Sequence, residues 1–250
     1  MRTFIAALIG FASGVASGAF GIGGALLSTP GIRWFLDTPA LIAVGTTLPV
    51  IIPTAITGSI TYLRNKLVDI RTAGILCVSG AVFAVLGALA TQAIAGEALL
   101  VATAALILLL SLRMLRPTAA LHPAALRRSP IGLLVVGAVS GFVSGLLGVG
   151  GGVILVPVLI VILRFPVKTA LGTSLAVVAA QSIPGTVTHA LIGNIDWAIV
   201  GGLVLGVVPG ARVGARAAVA AEDAKLRVVV AAAMGVLALA FGLSELRNLI

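Results

Sequence analysis

Apolar residues fill this chain in long blocks, and the polar residues between them are clustered rather than periodic. Runs such as Phe4–Phe20, Ile70–Ile94 and Ile131–Leu147 carry no charged side chain except Arg71. A helix built from such a run is apolar on every side and has no face to offer water. The strict alternation of a half-buried strand is missing too. The pattern therefore predicts an all-α integral membrane protein, with the bilayer as its solvent.

The blocks follow a plan that occurs twice. Gly10–Pro30 reads GFASGVASGAFGIGGALLSTP, and Gly137–Pro157 reads GAVSGFVSGLLGVGGGVILVP, at a constant offset of 127 residues. Nine of these 21 positions are identical, and all nine are Gly, Ser or Pro, which set backbone shape rather than hydropathy. The register continues: Pro39 matches Pro166, Gly45-Thr46-Thr47-Leu48 matches Gly172-Thr173-Ser174-Leu175, and Asp69 matches Asp196. Matched helix breakers and an Asp at one offset point to a tandem duplication. Residues 1–118 form the first repeat, 119–129 a basic linker, and 130–250 the second repeat.

Within each repeat an apolar run (Phe4–Phe20; Ile131–Leu147) meets a glycine cluster, and a short run follows (Ala25–Leu36; Val153–Leu163). Three longer runs come next: Ala40–Leu63, Ile70–Ile94 and Ala98–Leu115, then Val167–Leu191, Trp197–Ala220 and Leu226–Leu243. The longer runs approach the roughly 20 residues that a span needs. The short ones give about 18 Å of helix and fall short. A short run beside a glycine break is expected to re-enter or to form a discontinuous helix, leaving three spanning helices per repeat. An odd count inverts one repeat relative to the other. With the N- and C-termini outside, Arg64, Lys66, Arg71, Arg113, Arg116, Arg127, Arg128, Arg164, Lys168, Arg216, Lys225 and Arg227 then fall on the cytoplasmic side, as the positive-inside rule requires.

Composition sharpens this picture. Of 250 residues, 60% are hydrophobic and 9% charged, against the roughly 25% charged expected of a soluble domain. The net charge of +9 suits cytoplasmic loops, and a nucleic-acid partner is not expected. The first twenty residues resemble a signal peptide, but the repeat begins inside them, so they are expected to belong to the core. Cys77 is the single cysteine and can make neither an intrachain disulfide nor a metal site. His122 and His189 share no metal-ligand spacing, and no nucleophile–base set or Walker motif is present. Neither an enzyme nor a metal or cofactor protein is expected.

The candidate chemistry lies at the breaks. Gly21, Gly23 and Gly24 in one repeat, and Gly148, Gly150, Gly151 and Gly152 in the other, precede a helix start whose first N–H groups lack intrahelical partners. Two such ends meeting near the midplane would hold an anion without a full positive charge. Ser17 and Ser144 stand just before the breaks and can add hydroxyl donors. Thr46-Thr47 and Thr173-Ser174 are further candidates, although such hydroxyls often bond to their own helix. Gln181 and His189 share a helix face, and polar groups within a span commonly line a pathway. Thr54 and Tyr62 occupy their matching positions. Gly14-x-x-x-Gly18, Gly141-x-x-x-Gly145 and Gly206-x-x-x-Gly210-x-x-x-Gly214 read as helix-packing faces. Arg212 is expected to reach the cytoplasmic interface rather than clamp an anion.

Together, Ser17-Gly18-x-x-Gly-x-Gly-Gly…Pro30, Ser144-Gly145-x-x-Gly-x-Gly-Gly-Gly…Pro157, Gly172–Leu175, His189-x-x-x-Gly193-x-x-Asp196-Trp197 and Pro209-Gly210-Ala211 resemble the sulfite exporter TauE/SafE family over nearly the whole chain. The resemblance implies a permease of the bacterial inner membrane that exports sulfite, sulfonates or related sulfur anions. The first half departs from the pattern at Thr47, Ala25 and Tyr62. Import, another small anion, or a non-transporting membrane scaffold are the competing readings. Coupling to protons and assembly into a homo-oligomer stay open.

Overall fold

The computed structural model describes residues 2–91, 101, 104–105, 108–109, 111–114, 129–148 and 150–249. Most of the expected Ala98–Leu115 run and nearly all of the linker lie outside the described residues. Among those described, every regular element is helical. The first half contains α1 (Arg2–Phe20), α2 (Ala25–Leu36), α3 (Ala40–Arg64) and α4 (Ile70–Ala90). The second contains α5 (Pro130–Leu147), α6 (Gly152–Pro157), α7 (Val167–Ile192), α8 (Trp197–Ala220) and α9 (Asp223–Leu249).

Local chemistry fixes these boundaries. Pro39 and Pro166 precede α3 and α7 with φ near −55° and −53°, already suited to helix entry. Asp69 caps α4 by accepting from Thr72 N at 3.1 Å, and Asp196 caps α8 by accepting from Ala198 N and Ile199 N at 3.0 and 3.1 Å. Ser129 caps α5 through Gly132 N, with Pro130 in the first turn. Pro157 cannot donate to the helical ladder, and the chain widens after it into a π-helical turn, Val158–Ile162.

Among the described residues, six helices are long and apolar enough to cross a membrane: α1, α3, α4, α5, α7 and α8. This is a multi-pass membrane protein. α1 and α5 qualify by length, yet α1 folds back on a short partner. Gly31 of α2 packs on Ile9, while Ser28 meets Ser13, so α2 runs antiparallel to α1.

The glycine faces pack across the two halves rather than within them. A Cβ on Gly14 of α1 would lie 2.5 Å from Val207 O of α8, and Gly10 and Gly18 face Leu203 and Ala211 in the same way. At the offset of 127, Gly137, Gly141 and Gly145 of α5 face Leu76, Gly80 and Ala84 of α4. Rising numbers match rising numbers, so both pairs run parallel. The central helices α3 and α7 instead run antiparallel: Gly58 meets Leu175, and Leu48 meets Gly185.

One end of the bundle gathers basic loops. Asp69 N donates to Thr173 Oγ1 at 3.0 Å, Lys168 pairs with Asp223 at 3.3 Å, and Arg227 Nε donates to Met114 O at 2.9 Å. These contacts bring together the turn after α3, the start of α7 and the start of α9. Arg212 is exposed on α8.

Candidate functional site

The two breaks meet. A Cβ on Gly152 would lie 2.8 Å from both Gly21 O and Ile22 Cα, so the second break carries a third glycine because the first break lies against it. Gly23 and Gly150 both pack on Ile51 of α3 and Val178 of α7, themselves counterparts at the 127 offset. Each is a mid-helix residue, so both breaks sit at mid-height in the bundle. Gly21, Gly23, Gly24, Gly148, Gly150 and Gly151 all have φ between +62° and +92°, where a side chain is strained.

The carbonyls freed at the breaks are satisfied in matched pairs. Tyr62 donates its hydroxyl to Gly18 O at 3.0 Å, and His189 Nε2 donates to Gly145 O at 3.2 Å. A bond to a carbonyl requires the proton on Nε2, which leaves Nδ1 of the neutral ring as an acceptor. The two side chains that looked like a departure from symmetry thus serve one purpose, closing the C-terminal end of the broken helix. Ser174 of α7 donates to Gly21 O at 2.9 Å, and the Thr47 hydroxyl of α3 lies 3.1 Å from Gly148 O, sharing its one proton between that carbonyl and Val44 O of its own helix at 2.9 Å. Each break is therefore pinned by a long helix of the opposite half.

Donors at the breaks are left over. The N–H groups of Gly23, Gly24 and Ala25 find no backbone acceptor among the described residues. Ser17 and Ser144 are buried, and neither hydroxyl has a partner among the described residues. Ser17 Oγ lies beside Gly24, and Ser144 beside Gly151. Buried polar groups are normally hydrogen-bonded, so a matched pair of orphaned hydroxyls, one beside each break, marks these positions as candidate ligand contacts.

The remaining candidates divide. Gln181 reaches the second break: its Oε1 lies beside Gly151, while Nε2 donates to Ser140 Oγ at 3.1 Å. Thr46 and Thr173 point elsewhere, accepting from Asp196 N and Asp69 N at 2.9 and 3.0 Å at opposite ends of the bundle. A neighbouring residue in a helix points about a third of a turn away, so Thr46 and Thr47 serve different contacts. Ser13 and Ser140 escaped the sequence reading. Ser13 bonds Gly24 O and Ser28, and Ser140 positions Gln181. Their signal was present, because both belong to the nine identical positions.

A family model described as sulfite exporter TauE/SafE matches residues 6–241. The chain belongs to this family. TauE/SafE relatives agree with the membrane architecture. The chain is 26% identical to the probable membrane transporter protein YunE of Bacillus subtilis, over 86% of this chain and 88% of the relative. It is 32% identical to a probable membrane transporter protein of Xylella fastidiosa, over 83% and 80%. No solved structure matches it. Membership of the TauE/SafE family, these relatives and the six apolar helices make the chain a membrane transporter.

Proposed function

We propose that this TauE/SafE protein is a secondary transporter that exports a small sulfur oxyanion, sulfite or an organosulfonate, bound where the two glycine breaks meet. One observation carries the reading: Ser17 and Ser144, counterparts in the two halves, are buried, each beside its own break, with no hydrogen-bond partner among the described residues. With the carbonyls of Gly18, Gly21, Gly145 and Gly148 engaged and N–H groups left over in the first half, the breaks offer donors. A donor-lined, desolvated junction suits an anion, and the N-terminal dipole of α2 adds partial positive charge.

The antiparallel crossing of α3 and α7, which hold matching positions in the repeats, supports an inverted pair of repeats around the site. Transport then amounts to exposing the junction to one side and then the other. The basic end of the bundle is the cytoplasmic end in this reading.

Flux into and out of proteoliposomes, measured with sulfite, sulfoacetate, sulfate and thiosulfate, tests the assignment. Saturable flux of sulfite or sulfoacetate is expected, and it should fall in the Ser17→Ala, Ser144→Ala double variant. Absence of saturable flux for all four anions, with and without a proton gradient, overturns it.

A further inference from the structure

The two halves do not present the same chemistry to the junction. Thr54, the counterpart of Gln181, turns its hydroxyl back to Val50 O at 2.6 Å and shows Gly24 only its methyl group, 3.4 Å from where a Cβ would be. Gln181 is fully buried and shows Gly151 a polar oxygen without a partner among the described residues.

The network around Gln181 settles which amide atom faces the break. Ser140 Oγ donates its one proton to Gly137 O at 3.0 Å, so toward Gln181 it can only accept. Leu76 O, 3.4 Å from the same amide atom, can also only accept. Both neighbours require the NH2 group, which leaves the carbonyl Oε1 toward Gly151. A flipped amide would place an acceptor against two acceptors.

We infer that Gln181 selects a cargo that carries a hydrogen-bond donor, a singly protonated oxyanion in preference to an anion with none. This rests on the anion site proposed above and refines it. Ser144, which lies beside Gly151 together with Gln181, answers an anionic oxygen, and Gln181 Oε1 answers the O–H. A buried acceptor facing a cargo without a donor stays unpaired, and that mismatch is how polar sites reject analogues.

Hydrogensulfite and methanesulfinate form a suitable pair of probes. Both are small monoanions of similar shape, and the second has CH3 where the first has OH. Flux of each is measured in proteoliposomes in mildly acidic buffer, with leakage through protein-free vesicles subtracted. The wild-type protein should favour hydrogensulfite by tenfold or more, roughly the effect of one unpaired buried acceptor. Gln181→Met, which cannot accept, should bring the two rates to within about threefold. Gln181→Thr, which copies the first half, should do the same and guards against a folding failure of the Met variant. A ratio unchanged in both folded variants, or no wild-type preference, overturns the role of Gln181 while leaving the anion site standing. No flux of either probe in the wild-type protein overturns the site itself.

Discussion

Gly14 and Gly24 lie ten residues apart, and alanine at each separates helix packing from substrate contact. At Gly14 the backbone is ordinary helix, so alanine improves local propensity by about 1 kcal/mol. Its Cβ, however, would lie 2.5 Å from Val207 O and 2.8 Å from Val207 Cα, both backbone atoms. Relief requires α1 to part from α8, and overpacking of this kind costs about 1–3 kcal/mol. At Gly24 the balance is reversed. A Cβ meets Thr54 Cγ2 at 3.4 Å, Ser17 Cβ at 3.5 Å and Ser17 Oγ at 3.7 Å, which are ordinary contacts, but φ is +92°. The left-handed conformation costs alanine about 1–2 kcal/mol.

The two stability losses overlap, so a melting temperature cannot distinguish them. Transport per folded molecule can. A methyl group on Gly24 would sit 3.7 Å from Ser17 Oγ, where an anion oxygen bonded to that hydroxyl at about 2.7 Å has to fit. Losing one hydrogen bond to a charged group costs about 1.5–3 kcal/mol, or roughly 10- to 100-fold in flux. The assay is sulfite flux in proteoliposomes, normalised to the monodisperse fraction on size-exclusion chromatography. Gly24→Ala should fold and lose flux, whereas Gly14→Ala should lose folded yield and keep flux per folded molecule. Normal flux in folded Gly24→Ala would refute the placement of the anion at the break.

Tyr62→Phe removes the hydroxyl that closes Gly18 O and leaves a buried carbonyl unpaired, so thermal unfolding in detergent should register a loss of about 1–3 kcal/mol; no loss would mean that another donor takes over. Gly152→Ala and the mirror change Ala25→Gly should differ in size although they exchange matching residues. The first drives a Cβ to 2.8 Å from Gly21 O and Ile22 Cα and should cost about 1–3 kcal/mol, while the second exposes only the helix propensity of glycine, about 1 kcal/mol. Equal losses by the same measurement would argue against direct contact of the breaks.

Residues that act on their own neighbourhood were legible in the sequence. Pro39 and Pro166, Asp69 and Asp196, and the glycine clusters each fix a boundary locally, and the helices begin within a few residues of where these signals put them. Partner choice was not legible. An apolar helix carries no address, and nothing in Gly10, Gly14 and Gly18 says that α8 of the other half, rather than α4 of their own, will fill their groove. The adjacent hydroxyls Thr46 and Thr47 show the same limit at finer scale, one bonding Asp196 N and the other Gly148 O. Chemical identity also misled. Tyr62 and His189 look like a lost symmetry, yet the position asks only for a donor at the right height, and either ring supplies one.

The unequal halves then take on a different meaning. The second half has the fuller glycine motif, which invites the view that it does more of the chemistry. Gly152 is there for room, because the first break lies on it, and Ala25 at the mirror position is buried without difficulty. The serines beside the breaks, Ser17 and Ser144, are the same in both halves. One chemical difference is the pair Thr54 and Gln181: one side shows a methyl group and the other a carbonyl oxygen. A pair of identical breaks would grip an anion without regard to its orientation. In the proposed site, one acceptor on one side would make the grip directional, so that a cargo with an O–H would have a single preferred orientation.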